Sequence, residues 1–238
     1  MKQHIPNSIT LLNLFCGCCA IIAILNDQVV LSLILLFAGL VADYLDGAAA
    51  RILNVHSPLG KELDSLADMV TFGLLPGSIL YYILSSGQPP AGYIAGVIWQ
   101  YTPVFIITLF SALRLAKFNL DTRQTDYFLG LPTPSSTIFV AGLLAIYHYD
   151  SLGLGEVVSQ PWLLFIVAAG LSYLLVSEVP MFNLKFKHFR WSGNEIKFIF
   201  AGVAVALLAL LGVAGPSSVI LLYILFNLGR YLSGYEPI

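Results

Sequence analysis

The sequence predicts an all-α integral membrane protein, and three observations predict it. Of 238 residues, 58% are hydrophobic and 10% charged, with a mean hydropathy of +0.86, whereas soluble domains carry roughly 25% charged residues. The apolar residues gather into about eight stretches, each long enough to cross roughly 30 Å of hydrocarbon as a helix. When those stretches alternate in direction, all eleven lysines and arginines fall on or near one side.

The first span is expected near 8–25 and holds all three cysteines, Cys16, Cys18 and Cys19. They read as small packing residues, since nothing in their spacing suggests a disulfide framework. Lys2 and the apolar run lack a small-residue cleavage site, so this segment is expected to persist as a helix. Asn26-Asp27 marks the turn to a second span, 29–50, and a short connection, 52–61, leads to a third, 62–84. Ser86-Gly-Gln-Pro-Pro90 breaks the chain before a fourth span, 92–116, in which Gly92 and Gly96 offer seats for helix contact. The remaining spans are expected at 133–149, 160–178, 194–213 and 216–234, the last two divided at Gly215-Pro216. Tyr81, Tyr82, Tyr147, Tyr149 and Trp162 fit an interfacial aromatic belt. With no internal repeat or soluble segment, residues 1–238 read as a single membrane domain.

Orientation follows from the basic residues. With the N-terminus cytoplasmic, Lys2, Arg51, Lys61, Arg114, Lys117, Arg123, Lys185, Lys187, Arg190, Lys197 and Arg230 lie on or near the cytoplasmic side. The outer connections carry Asp27, Asp150 and Glu156 instead. Both termini are therefore expected in the cytoplasm, in a cytoplasmic (inner) membrane. There is no basic tract, so nucleic acid is excluded as a partner.

Four aspartates stand against this apolar background: Asp43 and Asp46 in the second span, Asp64 and Asp68 in the third. A carboxylate in the bilayer costs a few kcal/mol or more unless it is paired, wetted or bound to metal. Positions 43, 46, 47 and 50 follow i, i+3, i+4, i+7 spacing, so Asp43, Asp46, Gly47 and Ala50 share one helix face. Gly47 and Ala50 make a groove where a ligand approaches the backbone, and Arg51 at the helix end suits a phosphate. Asp64 and Asp68 are i, i+4 and share a face, with Gly60 one turn earlier. The short connection makes the two helices antiparallel neighbours, so their acidic faces converge near the cytoplasmic surface.

Four carboxylates in one cavity repel one another, and either protons or divalent metal must relieve this. Oxygen-only donors suit hard cations such as magnesium, manganese or calcium. Two plainer explanations exist. The acids form structural ion pairs with Arg51, Lys61 and Arg114, or they line a cation or proton pathway. Neither accounts for the small-residue groove beside a terminal arginine.

The run Asp43-x-x-Asp46-Gly47-x-x-Ala50-Arg51, followed by Gly60-x-x-x-Asp64-x-x-x-Asp68, resembles the signature of the CDP-alcohol phosphotransferase family at every fixed position. Ser65-Leu-Ala-Asp68-Met-Val-Thr71-Phe-Gly73-Leu-Leu-Pro76 is similar to a stretch of its phosphatidylserine-synthase branch. So are Pro6-Asn-Ser-Ile-Thr10-Leu-Leu-Asn13-Leu-Phe-Cys-Gly17, Arg114-Leu-Ala-Lys117-Phe-Asn119, Gly130-Leu-Pro-Thr-Pro134 and Val176-Ser-Glu-Val-Pro180. Thr71 and Lys117 depart from the branch, where serine and arginine are common.

The resemblance implies transfer of a phosphatidyl group from CDP-diacylglycerol to the hydroxyl of L-serine, releasing CMP. Asp43, Asp46, Asp64 and Asp68 would ligate magnesium or manganese, with calcium as a non-productive occupant. Asp68 would be the general base. Asp43, Gly47, Ala50, Arg51, Gly60 and Asp64 would frame the CDP group. Arg114, Lys117 and Asn119 would meet the serine carboxylate or lipid phosphate, although positive-inside anchoring also explains the two cations. Membrane lipids and a second copy, as a homodimer, complete the implied partners. The competing readings are the same chemistry on glycerol 3-phosphate or inositol phosphate, and a cation transporter.

Overall fold

The first two helices form an antiparallel hairpin whose register is set by polar contacts. A computed structural model of the chain describes residues 4–55, 57–86, 93–94, 97–120, 127–182 and 194–234. Lys2, Gly92, Gly96, Arg123, Lys185, Lys187 and Arg190 lie outside the described residues. Helix α1 spans His4–Leu25 and α2 spans Val29–Ile52. The Ser32 hydroxyl donates to the Ala20 carbonyl at 2.9 Å near the turn, and Thr10 donates to Asp46 at 2.6 Å at the far end.

Helix α3, Pro58–Ser85, is the central element. Of its most apolar window, 61% is buried, against 17% for the 195–232 run, so α3 forms the axis and the C-terminal run the periphery. Ser57 caps its start by accepting from Gly60 N–H at 3.0 Å, and Pro58 opens it where no amide donor is needed. Gly60 approaches Asn7, Asp68 bonds Asn13, and Thr71 packs on Gly17. These pairings run α3 parallel to α1 and antiparallel to α2.

The third expected span is not a plain α-helix. Residues Met69–Leu74 wind as a π-turn directly after Asp68, an insertion that recurs at functional sites. Pro76 has no N–H, so Phe72 C=O loses its helical donor and the proline ring crowds it. Two further helices, α4 (Trp99–Leu120) and α5 (Thr133–Tyr149), repair the wide turn from outside. Thr137 shares its hydroxyl proton between Phe72 C=O at 2.9 Å and Thr133 C=O at 3.0 Å, and Thr108 donates to Gly73 C=O at 2.9 Å.

Helix α4 begins at Trp99 and ends at Leu120, later than the expected start at 92. Tyr93–Ile94 and Val97–Ile98 pair antiparallel before it. Its first turns, Trp99–Phe105, are tight and 3-10 because Pro103 cannot donate to Trp99 C=O, which takes the Thr102 hydroxyl at 2.8 Å instead. Helix α5 covers Thr133–Tyr149, as expected, and Asp150 stops it in the left-handed region. Helices α6 (Pro161–Val176), α7 (Glu195–Leu211) and α8 (Gly215–Leu232) complete the bundle.

A second antiparallel pair joins Tyr127–Leu129 to Pro180–Phe182. Beside it Gly130, at φ +74°, sits where a Cβ would lie within 2.9 Å of three carbonyls at the end of α6, so only glycine fits. The two segments around Gly130 and Pro180, distant in sequence, thus form one packed corner. Tyr223 and Asn227 of α8 bond the backbone of Phe182 there. The three cysteines are free, with Cys16 buried and Cys18 exposed.

Among the described residues, five helical runs are long and apolar enough to cross a membrane, with Glu195–Leu232 counted as one run. Large apolar side chains such as Phe15, Ile22, Phe37, Leu210 and Leu225 point outward. An outer surface of this kind is suited to hydrocarbon, and the bonded helical backbone satisfies its own polar groups there. The chain is an integral membrane protein built of helices, with two short strand pairs at connections.

Thr108→Val is expected to destabilise the protein by about 1 kcal/mol, because it removes the hydroxyl bonded to the buried Gly73 carbonyl. Thr108→Ser keeps the hydroxyl and is expected to lose much less. Thermal unfolding in detergent, compared across the three proteins, checks this.

Candidate active site

Asp43 of α2 and Asp64 and Asp68 of α3 bring one carboxylate oxygen each to within 4.8 Å of one another. Helical spacing puts Asp64 and Asp68 on one face, and the antiparallel packing of α2 brings Asp43 against them. Such a set of hard oxygen donors matches the preference of a divalent cation. Three carboxylates this close repel one another unless protons or a cation offset their charge.

Asp46 is placed differently. It is buried, its Oδ2 accepts from Thr10 Oγ1 at 2.6 Å, and it faces a cavity of about 470 Å³. The same cavity is lined by Gly47, Ala50, Gly60 and Asp64. Asp64 therefore belongs both to the three-acid group and to the cavity wall. The bare faces of Gly47 and Ala50 leave the α2 backbone open on the cavity side. At Gly60 a side chain would stand 3.0 Å from Ser57 Oγ and 3.2 Å from Asn7 Oδ1, closing the space between α1 and α3.

Arg51 is exposed and is not among the lining residues. Its Nη1 lies 3.4 Å from where a Gly47 Cβ would be, so the guanidinium folds back over that glycine. Arg114 is 7% exposed inside α4, with its Cζ 5.9 Å from the Phe118 ring centroid. Its Nε has no partner, and its electrostatic neighbours are Tyr223 and Asp68. Lys117 is exposed. Asn119 is tied to α3: its amide donates to Ser65 Oγ at 2.8 Å, and its carbonyl accepts from Lys61 Nζ at 2.8 Å. Arg114, Lys117 and Asn119 thus do not form one cluster.

The first helix contributes more than sequence reasoning assigned to it. Pro6, Asn7 and Thr10 line the cavity, and Asn13 donates to Asp68 Oδ1 at 3.3 Å. Asn7, Thr10 and Asn13 recur every three residues in an otherwise apolar helix, so they share a face. That polar stripe is the signal that would have found them. Lys61, on the opposite wall, is the one basic side chain among the described lining residues.

The close approach that builds the site depends on two glycines. A Cβ on Gly17 would stand 2.3 Å from Thr71 Oγ1 and 3.0 Å from its Cα. One on Gly39 would stand 3.0 Å from the Thr71 methyl and 3.2 Å from Asn13 Oδ1. Thr71 donates to Asn13 C=O at 3.1 Å, so α1, α2 and α3 are clamped at the level of Asp68.

Comparison with known proteins identifies the family. Residues 3–176 match the CDP-alcohol phosphatidyltransferase family. The chain is 34% identical to a CDP-diacylglycerol–serine O-phosphatidyltransferase of Bacillus subtilis, over 81% of this chain and 95% of that protein. It is 32% identical to one of Helicobacter pylori, over 95% of this chain and 90% of the relative. A longer Mycobacterium leprae protein of the same name is 37% identical over 75% of this chain and 58% of its own length. Given the acid cluster, the small-residue cavity and these matches, the chain belongs to the CDP-alcohol phosphatidyltransferase family.

Proposed function

We propose that this protein transfers the phosphatidyl group of CDP-diacylglycerol to the hydroxyl of L-serine, giving phosphatidylserine and CMP. One observation carries the reading. Asp43, Asp64 and Asp68 converge beside a cavity whose walls at Gly47, Ala50 and Gly60 are nearly bare backbone. Relatives named for the serine reaction share about a third of their residues with the chain over most of its length. Lys61 is the one cation among the described lining residues. A phosphorylated acceptor would call for a denser basic pocket, which favours serine over glycerol 3-phosphate or inositol phosphate.

In the mechanism we infer, Gly47, Ala50 and Gly60 admit the CDP group, and Arg51 closes over it from the rim. Asp43, Asp46, Asp64 and Asp68 are the candidate ligands for magnesium or manganese. A bound divalent cation would neutralise pyrophosphate charge and ease the departure of CMP. Asp68 takes the proton of the serine hydroxyl as that oxygen attacks the phosphorus bearing diacylglycerol. The new phosphorus–oxygen bond forms while the bond to the CMP phosphate oxygen breaks, and CMP leaves with the electron pair. Arg114, buried beside the Asp68 side of the bundle with an unpartnered Nε, is placed to receive the serine carboxylate.

The same reading places the cluster at the cytoplasmic face of an inner membrane, with both termini inside and eight crossings. Helices α5 and α6, of 17 and 16 residues, would be short spans. Gly212, at φ +54°, and the contact of Gly215 with Leu208 favour a reversal between α7 and α8. A homodimer is carried over from the family.

The test is CMP release by the purified protein in detergent. CDP-diacylglycerol and magnesium or manganese are supplied, and L-serine, glycerol 3-phosphate or inositol phosphate is offered separately. Release with serine alone is expected. Release with another acceptor keeps the chemistry and overturns the acceptor. Absence of release from folded protein with every acceptor favours cation transport.

Asp68→Asn is expected to lower turnover by at least roughly 100-fold, as for loss of a general base, while CDP-diacylglycerol binding persists. Near-normal turnover in that variant removes Asp68 as the base. Asp43→Asn is expected to weaken the stabilisation of the protein by manganese in a thermal-shift titration. An unchanged titration midpoint removes Asp43 as a ligand.

A further inference from the structure

We propose that Asn13 is the positioning residue for Asp68, and that α1 acts through it as a working wall of the active site. This rests on Asp68 being the base. Asn13 is fully buried at 0% exposure in a helix whose outer face is apolar. Its amide nitrogen donates to Asp68 Oδ1 at 3.3 Å, across 55 residues of sequence. An amide N–H can only donate, so this contact holds that carboxylate oxygen as an acceptor and fixes the rotation of the group.

The other half of the amide argues against a merely structural role. Asn13 Oδ1 is buried and has no hydrogen-bond partner among the described residues. It lies against the bare face of Gly39, 3.2 Å from where a Cβ would stand. An unsatisfied buried acceptor of this kind is destabilising. An apolar side chain of similar shape would avoid that cost and still fill the space between α1 and α2. Among the described residues, the one partner the asparagine side chain gains is Asp68.

The surroundings make the placement rigid. Asn13's own carbonyl accepts from Thr71 Oγ1 at 3.1 Å, two residues past the start of the π-turn. Gly17 and Gly39 let α1 and α2 lie so close to Thr71 that neither position has room for a side chain. One turn away Thr10 holds Asp46 in the same manner, hydroxyl to carboxylate at 2.6 Å. Two acids of the signature are therefore oriented by donors on α1, which carries none of the signature residues itself.

Asn13→Leu keeps the branched shape and removes both the donor and the orphan acceptor. Its turnover number with L-serine is expected to fall roughly 10- to 100-fold, the scale of a small misplacement of a reacting group. KM for CDP-diacylglycerol is expected to hold. The unfolding temperature is expected to stay level or rise. A turnover number equal to that of the unaltered protein overturns the proposal. So does a fall in turnover accompanied by a lower unfolding temperature, which marks a structural residue. If Asn13→Leu does not yield folded protein, Asn13→Ala leaves space rather than filling it and is assayed well below its unfolding temperature. The same loss of turnover at constant KM is expected there, and undiminished turnover overturns the proposal. Asp68→Asn runs in parallel. If it retains turnover, the base assignment fails; if it is inactive while both Asn13 variants turn over normally, only the role of Asn13 fails.

Discussion

Carboxylates gathered inside an apolar bundle are the constraint on which the rest of this structure depends. Asp43, Asp64 and Asp68 meet within 4.8 Å, in a molecule whose outward side chains suit hydrocarbon. Their mutual repulsion and lost hydration oppose folding unless a cation or fixed donors compensate. The helices around them supply the donors: Thr10 to Asp46 and Asn13 to Asp68. They also border a cavity on one side, lined by Asp46 and Asp64.

Close packing makes those donors effective. Gly17 and Gly39 let α1 and α2 approach Thr71 to the limit of van der Waals contact, as small residues do between membrane helices. The clamp sits at the π-turn, and that turn exposes carbonyls which Thr108 and Thr137 recover from neighbouring helices. A hydroxyl network so spread over α1, α3, α4 and α5 couples the rotation of α3 to the bundle. Asp68 is the residue immediately before the turn, so its direction is set by packing on all sides.

Membership of the CDP-alcohol phosphatidyltransferase family gives this geometry a chemical meaning. A lipid-linked pyrophosphate has its tails in the bilayer and its nucleotide in water, and a site formed at helix ends reaches both. In the reading proposed above, the lining of Gly47, Ala50 and Gly60 would offer backbone rather than side chains to the nucleotide, and the acids would hold the cation that neutralises the phosphates.

Much of this was legible in the sequence. The helical class follows from composition and run length, because a backbone in hydrocarbon must bond to itself. Asp43, Asp46, Asp64 and Asp68, with Gly47, Ala50 and Gly60, were placed on two helix faces by spacing alone, since the α-helical period fixes which residues share a side. What tertiary structure decided is which acids meet and what holds them. It put Asp43 with Asp64 and Asp68 but turned Asp46 to Thr10, and it left Arg51 and Lys117 exposed while burying Arg114. It made α1 the third wall through Asn7, Thr10 and Asn13, and wound α3 wide after Asp68. Periodicity acts within one helix, whereas these outcomes depend on the rotation and approach of one helix against another, which contacts such as Gly17 on Thr71 settle only when the bundle is assembled.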